Sequence, residues 1–125
     1  MSQLVIFIDD SETALASTRM VTNAMPIEVK QYTEATVALA EIKAGMKPDL
    51  IITDLNMPVM NGLEFLKELR AFPATGRTPT LMLTTETKAD LKQQGKALGL
   101  TGWIVKPFNP AQLKQAITRV LRLPA

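Results

Sequence analysis

Four short apolar runs in this chain do not alternate with polar residues. They are Leu4-Val5-Ile6-Phe7-Ile8, Leu50-Ile51-Ile52-Thr53, Thr80-Leu81-Met82-Leu83 and Trp103-Ile104-Val105. A strand with one wet face alternates. A continuous run implies a strand buried on both faces, which belongs in a parallel sheet with helices on each side. Each run also ends on polar residues: Asp9-Asp10, Asp54, Thr84-Thr85 and Lys106-Pro107. Parallel strands share one C-terminal edge, so three carboxylates, a hydroxyl and an ammonium are expected to converge on one crevice. Ligands of such sheets bind beyond that edge, where the strand order reverses.

The segments between the runs read as helices. Strand one is expected over Leu4–Asp9, followed by a helix in Ser11–Met25 with Ala14, Thr18, Val21 and Met25 on one face. Strand two is Ile27–Tyr32. Thr33 is expected to cap a helix with the stripe Ala35, Ala38, Leu39 and Ile42, ended by Gly45. Strand three is Asp49–Asp54. Asn61 and Glu64 form a capping box for a helix through Phe72, with Leu66, Leu69 and Phe72 inward. Strand four is Thr80–Thr84. The helix Lys88–Leu98 has few apolar anchors (Leu91, Ala97, Leu98), and its interior Gly95 costs about 1 kcal/mol relative to Ala. It reads either as a weak surface helix or as an element held loosely so that it can shift. Strand five is Trp103–Lys106. Asn109 caps a last helix with Pro110 at its first position and Leu113, Ile117, Val120 and Leu121 on its apolar face. Right-handed crossovers make this an α/β fold, a three-layer doubly wound (βα)5 sandwich on a five-stranded parallel sheet.

Composition removes several kinds of chemistry. The 125 residues form one domain, 1–125, with no effector domain expected after the last helix. There is no cysteine and no histidine. Disulfides, thiolate metal sites, histidine-ligated zinc and histidine base catalysis are therefore excluded. Any metal must be held by oxygen, which suits a hard cation such as Mg²⁺. No apolar stretch approaches the ~20 residues of a membrane span, and no signal peptide is present, so a cytoplasmic protein is expected. Residues 1–66 hold four Lys/Arg and nine Asp/Glu. Residues 67–125 hold ten and three, so the two parts carry −5 and +7. The basic charges are spread along helices without interleaved aromatics. No nucleic acid partner is expected; an acidic protein fits better.

The convergent residues suit phosphoryl chemistry. Two neighbouring carboxylates, Asp9 and Asp10, are costly unless a cation sits between them. Mg²⁺ is usually held by one or two carboxylates together with phosphate oxygens. Asp54 adds a third carboxylate and can act as a nucleophile that forms an acyl phosphate. Lys106 and the Thr84 hydroxyl can each bind a phosphoryl oxygen. Taken singly, each residue has a plainer explanation: a turn aspartate, a solvated lysine, an ordinary strand threonine. Their coincidence at one sheet edge favours a site.

These motifs resemble those of bacterial response-regulator receiver domains of the CheY-like, stand-alone chemotaxis type. The resemblance rests on Asp9-Asp10, the segment Asp54-Leu55-Asn56-Met57-Pro58-Val59-Met60-Asn61-Gly62-Leu63-Glu64, the pair Thr84-Thr85, and Trp103-Ile104-Val105-Lys106-Pro107-Phe108. It covers essentially the whole chain. It implies the flavodoxin-like strand order 2-1-3-4-5. It implies that Asp54 is a phosphoacceptor for the phosphohistidine of a sensor histidine kinase (CheA-like). By the same resemblance, Asp10, Asp54 and the backbone carbonyl of Asn56 bind Mg²⁺, with Asp9 acting through water. Lys106 is the phosphate-binding lysine with a cis bond to Pro107, and Thr84 is the switch hydroxyl. Asn56 and Glu86 tune the phosphoryl lifetime. The chain would be no conventional enzyme, only self-catalysing in phosphoryl uptake and loss. A monomer is expected, with a downstream protein target on the last two helices and strand five, near Lys88, Lys92 and Trp103.

Two residues depart from the family pattern. Trp103 stands where Tyr or Phe is usual, and its indole N–H needs a partner when buried. Thr85 stands where a small residue, often Ala, is common, and is expected to crowd the same space. Other readings are weaker. An aspartate-nucleophile phosphatase of the haloacid dehalogenase type needs Asp-x-Asp, and this chain has Asp9-Asp10-Ser11. A flavin binder needs a Ser/Thr/Gly phosphate loop after strand one. Within the receiver class, a phosphate sink or phosphorelay receiver without motor output remains an alternative.

Overall fold

The computed structural model describes residues 2–124. Five strands alternate with five helices: β1 (Gln3–Ile8), α1 (Glu12–Thr22), β2 (Ile27–Tyr32), α2 (Ala35–Lys43), β3 (Leu50–Thr53), α3 (Gly62–Ala71), β4 (Thr80–Thr84), α4 (Ala89–Ala97), β5 (Gly102–Val105) and α5 (Pro110–Leu121). A single 3-10 turn, Pro73–Thr75, follows α3. All strand pairs are parallel, in the order β2-β1-β3-β4-β5. The register places Ile8 beside Thr53, Thr53 beside Met82, and Thr84 beside Val105. The strand ends therefore line up, and β1 is the strand from which the chain winds both ways.

Strand alternation divides the apolar residues between two faces. Val5, Phe7, Leu50, Ile52, Leu81, Leu83 and Ile104 pack with Leu15 of α1 and with Leu113, Ile117 and Leu121 of α5. Ile6, Ile8 and Ile51 pack with Ala38, Leu39 and Ile42 of α2 and with Phe65 and Leu69 of α3. Each fully buried Leu, Ile or Phe contributes roughly 1.5–3 kcal/mol. A smaller cluster of Leu55, Leu63 and Met82, with Leu91, Leu100 and Trp103 against it, is what holds α4. Within α4 itself only Gly95 is fully buried.

Several local expectations need correcting. The strands stop one residue short of the functional side chains, so Asp9, Asp54 and Lys106 lie just past β1, β3 and β5 rather than within them. The inward face of α1 is Leu15, Thr18 and Thr22; Ala14 and Val21 are only half-buried, and Met25 lies beyond the helix. The threonines can face inward because Thr18 donates to the Leu15 carbonyl at 2.8 Å and Thr22 to the Thr18 carbonyl at 3.2 Å. Glu34, not Thr33, occupies the N-cap of α2, and it makes no side-chain cap bond. The Asn61–Glu64 capping box is present, and Asn109 caps α5. Gly95 has a packing reason: a Cβ there would meet Leu100 Cδ2 at 3.0 Å.

Gly62 permits the closest approach that matters to the site. A Cβ on it would lie 2.3 Å from the Asp54 carbonyl oxygen and 3.0 Å from Leu55 Cα. Its N–H donates to the Leu55 carbonyl at 2.8 Å, so the start of α3 is pressed against the Asp54 loop. Gly62→Ala should therefore destabilise the fold by about 1–3 kcal/mol, the usual cost of forcing atoms into a packed backbone. Urea unfolding measures this; a change near zero would show that the loop gives way freely.

Candidate functional site

Asp9 is fixed from both sides. Its N–H donates to the Tyr32 carbonyl at 3.0 Å, and its carboxylate accepts the Ser11 N–H at 2.9 Å as the chain turns into α1. Ser11 in turn caps α1 through the Ala14 N–H. This turn brings the adjacent Asp10 to the same side, where it is exposed. Asp54 follows β3, with its N–H on the Ile8 carbonyl at 2.9 Å. The Leu55 N–H donates to its Oδ1 at 2.6 Å. The buried Thr53 hydroxyl donates to the Asp54 carbonyl at 2.9 Å. One carboxylate oxygen from each of Asp9, Asp10 and Asp54 lies within 4.8 Å of the others.

Lys106 completes the cluster from β5. Its N–H bonds to the Thr84 carbonyl at 2.8 Å, and its peptide bond to Pro107 is cis, as the resemblance implied. The Nζ donates to Asp9 Oδ2 at 2.5 Å and to Asp54 Oδ2 at 3.2 Å. Burial pulls the lysine down, but the hydrogen bond and charge of Asp9, and then the charge of Asp54, outweigh it and raise its pKa. Burial also raises Asp9, against the opposing hydrogen bonds from Lys106 and Ser11. Three carboxylates and one ammonium leave the cluster short of positive charge. Three carboxylate oxygens gathered within 4.8 Å of one another suit a hard cation such as Mg²⁺, which Asp9, Asp10 and Asp54 would hold through oxygen.

The other sequence-derived residues surround this cluster. The Thr84 hydroxyl is buried and accepts the Glu86 N–H at 3.2 Å; it is not bonded to Asp54 or Lys106. Glu86 turns its carboxylate to the N–H groups of Thr87 and Lys88, at the start of α4. Asn56 is exposed beside Asp54. The Trp103 indole is half-buried and finds its partner in the Glu86 carbonyl at 2.9 Å. Thr85 does not share Trp103's space. It lines a groove of about 770 Å³ with Ala14, Met20, Val21 and Phe108 on the α1 side, whereas Trp103 packs with Leu63 and Met82 on the α4 side. The sequence reading missed the hydroxyl of Thr53 and the backbone N–H groups of Ser11 and Leu55, because backbone geometry leaves no residue signature. It also missed Val59, a β-branched residue held at φ 70° in the loop after Asp54.

A five-stranded parallel sheet in the order β2-β1-β3-β4-β5, with an acidic triad and a lysine gathered at its carboxyl edge, defines a doubly wound α/β domain with a charged cluster at its switch point. Residues 5–118 match the family model of the response regulator receiver domain. The chain belongs to that family. It is 37% identical over 87 residues to chemotaxis protein CheY-3 of Vibrio cholerae, a stretch that spans 70% of this chain and 66% of that protein. It is 34% identical over 119 residues to chemotaxis protein CheY1 of Helicobacter pylori, covering 94% of this chain and 95% of that one. Among solved structures it is similar to the chemotaxis response regulator CheY4 of Vibrio cholerae, with 42% identity and a TM-score of 0.87 over 96% of this chain and 99% of that one. No helix among the described residues is long and apolar enough to cross a membrane.

The lysine–carboxylate pair sets a pH prediction. The Lys106 pKa is raised on folding, so its stabilising contribution is complete below the unfolded value of about 10.5 and is lost as pH rises through the higher folded value. Asp9→Asn removes its largest supporting contacts and should lower the Lys106 pKa, moving that loss to lower pH. A side-chain NMR titration of Lys106 reads the shift directly; an unmoved midpoint would show that Asp9 does not hold the lysine.

Proposed function

We propose that the chain is a phosphorylation-controlled binding switch of two-component signalling, in a chemotaxis pathway. The observation that carries this is the Lys106 ammonium within hydrogen-bonding distance of both Asp9 and Asp54, beside the exposed Asp10. In this reading an Asp54 carboxylate oxygen attacks the phosphorus of a phosphohistidine on a sensor histidine kinase of the CheA type. The P–N bond breaks, the imidazole leaves, and an aspartyl phosphate remains. Lys106 then exchanges its bond to Asp54 for one to a phosphoryl oxygen. Asp10, Asp54 and the Asn56 carbonyl would hold Mg²⁺, with Asp9 behind a water; the ion supplies charge neutralisation on the phosphoryl oxygens. In this reading Asn56 and Glu86 tune the lifetime of the phosphoryl group. The chain's own chemistry stops at uptake and self-dephosphorylation.

The output is conformational. Thr84 releases the Glu86 N–H to bond the phosphoryl group, and the β4–α4 loop moves with it. Trp103 is bonded to the Glu86 carbonyl and must follow or let go. Phosphorylation thus favours one of two arrangements of the α4–β5–α5 face, where a downstream protein binds. The relatives named CheY support chemotaxis. The domain acts as a single unit over 1–125, as a monomer in the cytoplasm, without contact to nucleic acid or membrane.

Incubation with acetyl phosphate and Mg²⁺ should label the wild type and leave Asp54→Asn unlabelled; retained labelling at another residue would overturn the assignment. Lys106→Ala should accept phosphate but lose the response of its partner-binding face.

Trp103 is the sole tryptophan, so its emission isolates the switch. Adding beryllofluoride with Mg²⁺ should change that emission in the wild type and not in Thr84→Ala. An unchanged wild-type spectrum would mean that the aromatic takes no part.

A further inference from the structure

Four of the chain's five arginines, Arg70, Arg77, Arg119 and Arg122, line one open cleft of about 550 Å³. None of the nine lysines lines it, and neither does any Asp or Glu. The cleft lies at the edge of the sheet opposite Asp54, where Pro79 leads into β4 and Thr101 into β5. Leu98 and Val120 add an apolar surface to it.

The plain explanation is that basic residues favour helix C-termini, and α3, α4 and α5 all end here. It accounts for only part of the charge. Each helix end carries about half a negative charge, so three ends offset fewer than two of four guanidiniums. Arg70 alone already serves those ends: its Nε donates to the Leu98 carbonyl at 2.8 Å, Nη1 to Thr75 at 3.1 Å and Nη2 to Gly99 at 3.3 Å. Arg70 is half-buried, and no carboxylate lies within ion-pair distance of any of the four among the described residues. Those three carbonyls answer Arg70, whereas Arg77, Arg119 and Arg122 are exposed and make no ion pair among the described residues.

We infer that this arginine cleft binds a small molecule bearing a multiply charged phosphate group, such as a di- or triphosphate. Guanidinium is planar and presents paired N–H donors matched to phosphate oxygens, which an ammonium does not. The concentration of arginine here, with lysine excluded, is therefore a choice of geometry as well as of charge. One carboxylate would neutralise a single guanidinium; a diphosphate or triphosphate answers three or four. Leu98 and Val120 offer contact to the remainder of the ligand, and the exposed Thr101 hydroxyl can donate to it. The site is separate from the Asp54 cluster and does not depend on the receiver chemistry.

The test is calorimetric titration of the full chain with pyrophosphate and, separately, with ATP. Divalent metal is left out so that the Asp54 cluster does not take up phosphate. Saturable binding that weakens by roughly tenfold or more in Arg119→Ala/Arg122→Ala is expected, since a charge-assisted hydrogen bond contributes about that factor. Arg77→Ala, in the loop before β4, leaves α5 intact and should weaken binding as well. Tighter binding of ATP than of pyrophosphate would assign a nucleotide; equal binding would assign the phosphates alone. No saturable binding, binding unchanged in these variants, or binding only of a poly-glutamate peptide or an oligonucleotide would overturn the proposal. Labelling of the same variants by acetyl phosphate should remain normal, so a failure here is distinct from a failure of the Asp54 assignment.

Discussion

One ammonium shared between two carboxylates organises this molecule. Lys106 comes from the end of β5, Asp9 from β1 and Asp54 from β3, so its two bonds reach across the sheet and skip β4 between them. Bringing three carboxylates to within 4.8 Å is unfavourable without a cation. The lysine offsets part of that repulsion, and the raised Lys106 pKa reflects it. What remains is a residual negative charge in a partly dry crevice, which draws in a hard cation and repels a phosphoryl group until such a cation is bound. In the proposed reading, a lysine already bonded to Asp54 is also placed to meet a phosphoryl group arriving there.

The scaffold around this contact divides into a rigid part and a loose part. Asp9 and Asp54 are held through their backbone to Tyr32, a buried residue at the end of the edge strand β2, and to Ile8, at the end of β1, which is buried on both faces. Gly62 lets α3 press on the Asp54 loop and so supports the position of Asp54. On the other side, α4 is anchored through few apolar contacts, through the Trp103–Glu86 bond near its start and through Arg70 near its end. An element so held can change position at small cost. Trp103 in place of Tyr or Phe ties the aromatic ring to the loop by a backbone acceptor, so ring and loop are coupled mechanically rather than by packing alone.

The layers, the parallel sheet and the convergent edge were all legible in the sequence. The reason is physical: strands buried on both faces cannot alternate, and Asp9-Asp10, Asp54, Thr84 and Lys106 each follow such a run. The capping box at Asn61 and Glu64 was legible because its bonds are made by side chains. What escaped was set by backbone and by facing. Threonines turn inward on α1 because their hydroxyls bond the helix's own carbonyls, so Leu15 and not Ala14 leads the buried face. Thr85, expected to crowd Trp103, instead follows β4 and lines the groove beside α1, while Trp103 lies on the α4 side. Gly95 read as a weakness, and only the position of Leu100 reveals the close approach it permits.

The uneven charge of the chain gains a spatial meaning from the two ends of the sheet. The carboxyl edge gathers Asp9, Asp10 and Asp54; the opposite edge gathers Arg70, Arg77, Arg119 and Arg122. Between them runs β4, whose five residues at about 3.3 Å each span roughly 16 Å. The screening length at physiological salt is about 8 Å, so neither cluster neutralises the other through solvent. Among the described residues the acidic edge therefore keeps a net negative charge and the arginine edge a positive one, and each is proposed to take a ligand of its own.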